Sequence, residues 1–519
     1  MHRFLITTAT LALSAGVAQA DYTLHILHTN DMHSRIESIN RFDSTCDAEG
    51  EAEGECFGGI ARVKSAIDGK VAGLDNQNVI VLDAGDPFQG SLFYSTYKGA
   101  AEAEFMDQMG YSAMAVGNHE FDDGPKGLAD FIDLVSFPVV SGNLDLSGEP
   151  LLDGKVENYV AIEVGGQKIG IVSALATDTV ETSSPGDGVI FEDEVTALTA
   201  DVAALEAEGV NIIIALNHVG LGRDAEIAAA VPGIDVVIGG HSHTLMTNDD
   251  PETPAYPEMV DGTPVAQAYA YTKYLGHLTV TFDDAGNVTQ ASGDPMLLDA
   301  SVTPDADFLV RIAEMGAPIE ELKTRVVGEA ASEIEGAREA CRARECAMGN
   351  LITDAMLDRV KDQGIEIAIQ NGGGIRASID AGEVTMGEVL TVLPFQNTLS
   401  TFQVPGSAIV AALENGVGQI EDGAGRFPQV AGMSYTFDVS QPAGSRVSDV
   451  MVGGAPIDLE KVYGVVSNNY VRNGGDGYAM FVDAQNAYDF GPDLADVTVE
   501  FLAADGSYTP YLDGRITAK

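Results

Sequence analysis

The sequence predicts a two-domain chain of the α/β class. Three observations lead there. The chain has 519 residues, whereas a single hydrophobic core stops growing near ~250–300 residues. Its N-terminal part alternates short apolar runs with helical stretches, the pattern of sheets covered by helices. Between Pro304 and Val327 that pattern gives way to one helical repeat, which reads as a connector.

The elements follow in order. Met1-His2-Arg3, the apolar run Phe4–Val17 and Ala18-Gln19-Ala20 form a basic start, a hydrophobic segment and an A-x-A cleavage site. Residues 1–20 therefore read as a secretory leader. The run is too short to span a bilayer, which needs ~20 apolar residues. No apolar tail precedes Lys519, so no membrane anchor is expected and the chain is expected to be periplasmic or secreted. Strands are predicted at Tyr22–Leu27, Val79–Leu82, Ala113–Val116, Val210–Leu216 and Ile234–Ile238, with helices at Ala200–Glu208 and Arg223–Ala230. Leu278–Phe282, followed by Asp283-Asp-Ala-Gly-Asn287, reads as a strand entering a hairpin turn. In the connector, Phe308, Ile312, Met315, Ile319 and Leu322 recur at helical spacing, and Gly316 and Pro318 are expected to interrupt it. Met348–Val360 follows as an amphipathic helix and Ile365–Ile369 as a strand.

The formal net charge of −52 argues against nucleic-acid polymers and anionic membranes as partners. The densest acidic stretch, Asp47 to Glu55, lacks the ordered ligand pattern of a calcium loop and reads as a solvated surface loop. Four cysteines form two close pairs far apart in the chain. In an exported protein these read as the disulfides Cys46–Cys56 and Cys341–Cys346. A four-cysteine zinc site is the alternative, and the tight C-x-x-C spacing it usually needs is missing.

Chemistry concentrates in five short motifs, each at or just after an apolar run. They are His28-Thr-Asn-Asp31-Met-His33, Leu82-Asp-Ala-Gly-Asp86, Gly117-Asn118-His119-Glu-Phe-Asp122, Ala215-Leu-Asn-His218 and Gly239-Gly240-His241-Ser-His243. Six of the nine histidines lie in them. Open α/β sheets place ligands at the C-terminal ends of their strands, so five such ends can converge. Imidazole with carboxylate suits divalent ions such as zinc or manganese. Gly85, Gly117, Gly239 and Gly240 are expected to permit the sharp bends that turn these side chains inward. Each motif alone is weak, since a single strand-end histidine is more often just hydrogen-bonded. The ordered set of five is strong.

That set resembles the calcineurin-like metallophosphoesterases, and nearly the whole chain after the leader is similar to the 5′-nucleotidase family. The resemblance implies a four-layer α/β/β/α metallophosphoesterase domain over 21–303, a linker helix over 304–327 and an α+β substrate-binding domain over 328–519. It implies two divalent ions: Asp31, His33 and His243 on one, Asn118, His218 and His241 on the other, and Asp86 bridging both. His119 would stabilise the transition state and Asp122 would orient it. Two adjacent cations lower the pKa of a coordinated water and neutralise phosphoryl charge.

Lys and Arg total only 27, yet Arg338, Arg342 and Arg344 crowd around Cys341–Cys346. Arginine suits phosphate forks, while ordinary surface pairing accounts for Arg338. The family resemblance assigns substrate binding to Arg342, framed by the disulfide, and to Asn371, Gly374 and Arg376 of the loop Asn371-Gly-Gly-Gly374-Ile-Arg376. It implies that Phe395 and Tyr470, the latter usually Phe, sandwich the base and that Asp476 accepts the ribose hydroxyls. Without the resemblance, both aromatics read as core residues.

The expected activity is hydrolysis of nucleoside 5′-monophosphates, with other nucleotides and UDP-sugars as further substrates. The alternative within enzymes is a 2′,3′-cyclic nucleotide phosphodiesterase/3′-nucleotidase. From another class, a non-catalytic nucleotide- or metal-binding surface protein would predict decay of the ligand set, and the set is intact. Oligomeric state is not legible.

Overall fold

A computed structural model describes residues 21–519 except 42, 44, 75, 76, 178, 396, 490 and 505. The expected leader, residues 1–20, lies outside the described residues.

The N-terminal part is built on two sheets packed face to face. The first runs Val288–Gly293, Tyr274–Phe282, Tyr22–Thr29, Val79–Asp83, Ala113–Ala115, Val139–Val140. Its last four strands are parallel, and Tyr274–Phe282 is antiparallel to Tyr22–Thr29. The second runs Glu258–Val260, Thr263–Ala266, Val236–Ile238, Ile213–Leu216, Gln167–Val172, Tyr159–Val164, with parallel central strands. Leu24, Ile26, Ile80 and Leu82 of one sheet meet Ile171, Ile214, Leu216 and Ile238 of the other in a buried core. Helices Ile60–Gly73, Ala100–Asp107 and Gly124–Ile132 cover the first sheet's outer face. Helices Glu194–Ala207 and Leu221–Ala230 cover the second's. The result is the four-layer α/β/β/α order. Parallel strands buried on both faces read as unbroken apolar runs, which is why Ile213-Ile-Ala-Leu216, buried throughout, is apolar at every position.

The connector is one helix, Ala306–Lys323, continuous through Gly316 and Pro318. The expected interruption does not occur. An interior proline costs roughly 3 kcal/mol, but Phe308, Ile312, Met315 and Ile319 are buried on the N-terminal core, at ~1.5–3 kcal/mol each. Asp305 caps the helix by accepting from the N–H groups of Asp307 and Phe308.

The C-terminal part centres on a five-stranded sheet, Pro428–Ala431, Ile367–Asn371, Val462–Asn468, Leu399–Pro405, Gln485–Tyr488. Helices Ala347–Arg359 and Leu494–Ala504 pack on one face and Gly406–Val417 on the other. Ile367–Asn371 and Val462–Asn468 run parallel, so both deliver their C-terminal ends to one edge. With its two smaller sheets this part is α+β. The disulfides Cys46–Cys56 and Cys341–Cys346 are formed. The acidic stretch, expected as a loop, forms the exposed helix Ala48–Glu53, capped by Asp47 and tied by Glu51 to Arg62 at 2.8 Å.

Candidate metal centre and nucleotide cleft

Five parallel strands, three from the first sheet and two from the second, end at one pocket. Asp31 and His33 follow Tyr22–Thr29, Asp86 follows Val79–Asp83, and Asn118 and His119 follow Ala113–Ala115. His218 follows Ile213–Leu216, and His241 and His243 follow Val236–Ile238. The turns carry backbone strain. Asp31, His33, Asp86, His241 and His243 have φ of 50°, 46°, 60°, 75° and 50°, a left-handed region non-glycine residues avoid and that clusters at functional sites.

The glycines expected to make these bends mostly do not. Only Gly85 of the four has positive φ, at 91°; the ligands themselves take the left-handed turns. Gly117 and Gly239 are required for space. A Cβ on Gly117 would lie 2.1 Å from Asp86 Oδ1, and one on Gly239 would lie 1.9 Å from Asp224 Oδ2.

All seven expected metal ligands are brought together. His33 and His243 approach Nε2 to Nε2 at 2.9 Å, and His243 Nε2 lies 3.3 Å from Asp31 Oδ1. Asp86 Oδ2 lies 3.1 Å from His218 Nε2 and 3.9 Å from His33 Nε2, between the two groups. Asn118 Oδ1 is 3.2 Å from His218 Nε2 and 2.9 Å from His241 Nδ1. The donor set fits divalent cations. His218 gives its Nδ1–H to Ala84 O at 2.7 Å and His33 its Nδ1–H to Phe88 O at 3.2 Å. Both Nε2 atoms are thereby turned toward the carboxylates, the orientation that a backbone acceptor imposes on metal-ligating histidines. The two carboxylates favour a positive charge on His218, whereas burial and the neighbouring His243 and His119 keep His33 well below its usual range. Burial opposes the His218 charge, yet Asp86 and Asp31 push its pKa up to about 10. A cation meets the same demand.

Glu120, Asp224 and Ser183, to which the sequence assigns no role, support this pocket. Glu120, fully buried, accepts from the N–H groups of Asp86, Gly117 and Phe88 at 3.1, 2.7 and 3.3 Å, so it fixes two turns at once. Asp224 accepts from Asn217 Nδ2 at 3.0 Å. His119 Nδ1 lies 2.6 Å from Asp122 Oδ2, and Asp122 Oδ1 accepts from Ser183 Oγ at 2.8 Å. Burial disfavours the charged His119 ring, but Asp122 and Asp86 outweigh it and raise its pKa to about 10.

A cleft of about 460 Å³ adjoins the pocket, lined by Arg342, Asn371, Gly374, Arg376, Phe395, Tyr470 and Asp476. Every expected substrate residue thus faces one space. Arg342 donates to Gly423 O at 3.2 Å, and the Arg376 guanidinium lies 5.5 Å from the Phe395 ring centre. Phe395 and Tyr470 are not core residues; Tyr470 is 47% exposed. Arg344 is drawn away to Glu335 at 3.2 Å. The N-terminal half contributes Arg35, Asp43 and Tyr271 to the cleft wall, which sequence reading missed. Tyr271 links the two spaces: its ring lies 5.5 Å from His33 and 5.2 Å from His243, with Arg35 5.0 Å from its centre.

Fold and pocket together define a metallophosphoesterase. Residues 24–245 match the calcineurin-like phosphoesterase family model, and residues 326–483 match the 5′-nucleotidase C-terminal domain. The 5′-nucleotidase of Diplobatis ommata is 38% identical over 97% of this chain and 91% of its own. The crystal structure of a 5′-nucleotidase precursor from Thermus thermophilus is 41% identical, with TM-score 0.67 over 96% of this chain and 99% of that one. The structure of an NAD nucleotidase from Haemophilus influenzae is 27% identical, with TM-score 0.71 over 96% and 100%. The chain belongs to the 5′-nucleotidase family and is a metal-dependent phosphoric monoester hydrolase. Among the described residues, no helix is long and apolar enough to cross a membrane.

Proposed function

We propose that the enzyme hydrolyses nucleoside 5′-monophosphates to nucleoside and phosphate. The observation that carries this reading is the continuity of the carboxylate–imidazole pocket with an aromatic, arginine-bearing cleft, joined at Tyr271. A nucleotide reaches from one to the other.

Asp31, His33 and His243 would hold one divalent ion, Asn118, His218 and His241 a second, and Asp86 both. Zinc or manganese suits this set. When bound, such ions activate water and neutralise phosphoryl charge. The chain's own residues do the rest. His119 donates toward charge developing on the phosphate, held in place by Asp122, which Ser183 holds in turn. Arg342 and Arg376 orient the phosphate side, Asn371 and Gly374 shape the base wall, Phe395 and Tyr470 stack on the base, and Asp476 accepts the ribose hydroxyls. Three guanidiniums in one cleft, with Arg35, and likeness to an NAD nucleotidase support activity on substrates with a second phosphate, UDP-sugars included. Two disulfides and the leader motif support an exported location, periplasmic or secreted.

Phosphate release from AMP, 3′-AMP, 2′,3′-cyclic AMP and UDP-glucose, with added zinc or manganese, tests the reading. AMP should be the preferred substrate. Preference for 3′-AMP or the cyclic nucleotide would replace it, and inactivity on all four with metal bound would reject it.

A further inference from the structure

We propose that the Tyr470 hydroxyl is a specificity-determining group that presets the Asp476 carboxylate for a ribose diol. The inference rests on the nucleotide reading above and concerns the one atom by which Tyr470 differs from phenylalanine.

Tyr470 lies in the short helix Asn469–Arg472, directly after the strand Val462–Asn468. Its ring folds back over the following loop. A Cβ built on Gly475 would lie 2.5 Å from the Tyr470 carbonyl oxygen and would meet ring atoms Cδ2 and Cε1 equally, at 2.6 Å. Those two ring atoms are opposite corners of the ring, so the Gly475 backbone lies behind the ring's face. Only glycine fits there, and the other face is left to the cleft that Tyr470 lines. At the ring's tip the hydroxyl makes two bonds to one residue. It donates to Asp476 Oδ1 at 3.0 Å and accepts from the Asp476 N–H at 3.1 Å.

Asp476 needs this hold. Its φ is 53°, between Gly474 at 92° and Gly477 at 80°. Aspartate takes the left-handed region when its short side chain is held by local hydrogen bonds, and here the Tyr470 hydroxyl ties both the Asp476 carboxylate and its N–H. The second carboxylate oxygen is fixed from the opposite wall, where Asn371 Nδ2 donates at 2.7 Å. Asn371 is itself held by Asn468, whose Nδ2 donates to its Oδ1 at 2.9 Å. Asn415 donates to the Asp476 carbonyl at 3.1 Å. Each carboxylate oxygen thus has one donor inside the protein, and an ionised carboxylate accepts about two per oxygen. The remaining acceptor positions suit two neighbouring hydroxyls. Phenylalanine at 470 would keep the stacking face and lose the hook.

The experiment compares kcat/KM for AMP and 2′-deoxy-AMP in wild type and Tyr470→Phe, each metal-loaded. Wild type should prefer AMP. The variant should lose about tenfold on AMP, through KM more than kcat, and much less on the deoxynucleotide. That is the fold-change one hydrogen bond to a charged group carries. Asp476→Asn should collapse the same preference. An AMP to 2′-deoxy-AMP ratio unchanged in Tyr470→Phe, while wild type hydrolyses AMP well, overturns the inference and leaves the nucleotide reading intact. Wild type active on p-nitrophenyl phosphate but not on AMP overturns the nucleotide reading, and the inference with it.

Discussion

Replacing Asp86 by asparagine should strip both metal positions at once. The change is nearly isosteric, and an amide oxygen still accepts from the His119 N–H, 2.9 Å from Oδ1 in the wild type. What goes is the charge on the oxygen lying 3.1 Å from His218 Nε2 and 3.9 Å from His33 Nε2. Burial works against that charge, but His218 and His119 hold the Asp86 carboxyl well below the usual range, so it is fully ionised at neutral pH. Loss of a group that merely orients a ligand costs roughly 10–100-fold in metal affinity. Loss of a shared charged ligand should exceed that at each ion, or more than ~2.7 kcal/mol apiece. Metal analysis after gel filtration provides the assay. The wild type should retain about two ions per chain, one for each ligand group, and Asp86→Asn fewer than one. Two ions kept by the variant would refute the bridging assignment. A variant that keeps one tight ion would place Asp86 on a single ion.

Four further outcomes follow. Ser183→Ala frees one oxygen of Asp122 and should lower kcat about tenfold, one hydrogen bond to a carboxylate, with KM and thermal midpoint held; wild-type kcat would deny Ser183 a positioning role. Chelation should lower the wild-type thermal midpoint, since ions at ~100 times Kd add about 2.7 kcal/mol, and should leave that of Asp86→Asn nearly fixed. Cys341 and Cys346 are five residues apart, so their crosslink closes too short a loop for a large entropic contribution; changing both to Ser should raise KM for AMP more than it lowers the midpoint. Burial raises the Asp201 pKa to about 7, with Glu192 adding to it, against ~3.9 unfolded. The fold therefore favours the proton, and ionisation costs stability increasingly as pH rises from about 4 to about 7. Asp201→Asn should raise the thermal midpoint above pH 7 and match wild type near pH 4; an equal gain at both would exclude titration as the cause.

The metal pocket was legible because each ligand group directly follows an apolar strand, and strand ends in such sheets converge. His33 or His243 alone carries little information; the order of five motifs carries much. What escaped came from loops whose partners are distant in sequence. Ser183 reaches Asp122 across 61 residues, and Tyr271 reaches His33 from beyond the second sheet. Nothing local marks either. Arg35 sits two residues past a ligand, yet its place in the cleft depends on how the second half docks. In the connector, propensity flags Gly316 and Pro318 as breaks, whereas tertiary burial of Phe308 and Ile319 decides for one helix. The bends point to glycine in the sequence because strain carried by the ligands themselves has no sequence signature.

The Phe395→Ala variant tests most directly whether the two halves act on one substrate. The measurement is kcat/KM on AMP and on p-nitrophenyl phosphate, an ester that needs only the metal half. Loss of one stacked ring is worth ~1–3 kcal/mol, so AMP hydrolysis should fall roughly 5- to 150-fold while p-nitrophenyl phosphate hydrolysis stays near wild type. Equal losses on both substrates, or none on AMP, would contradict that joint action.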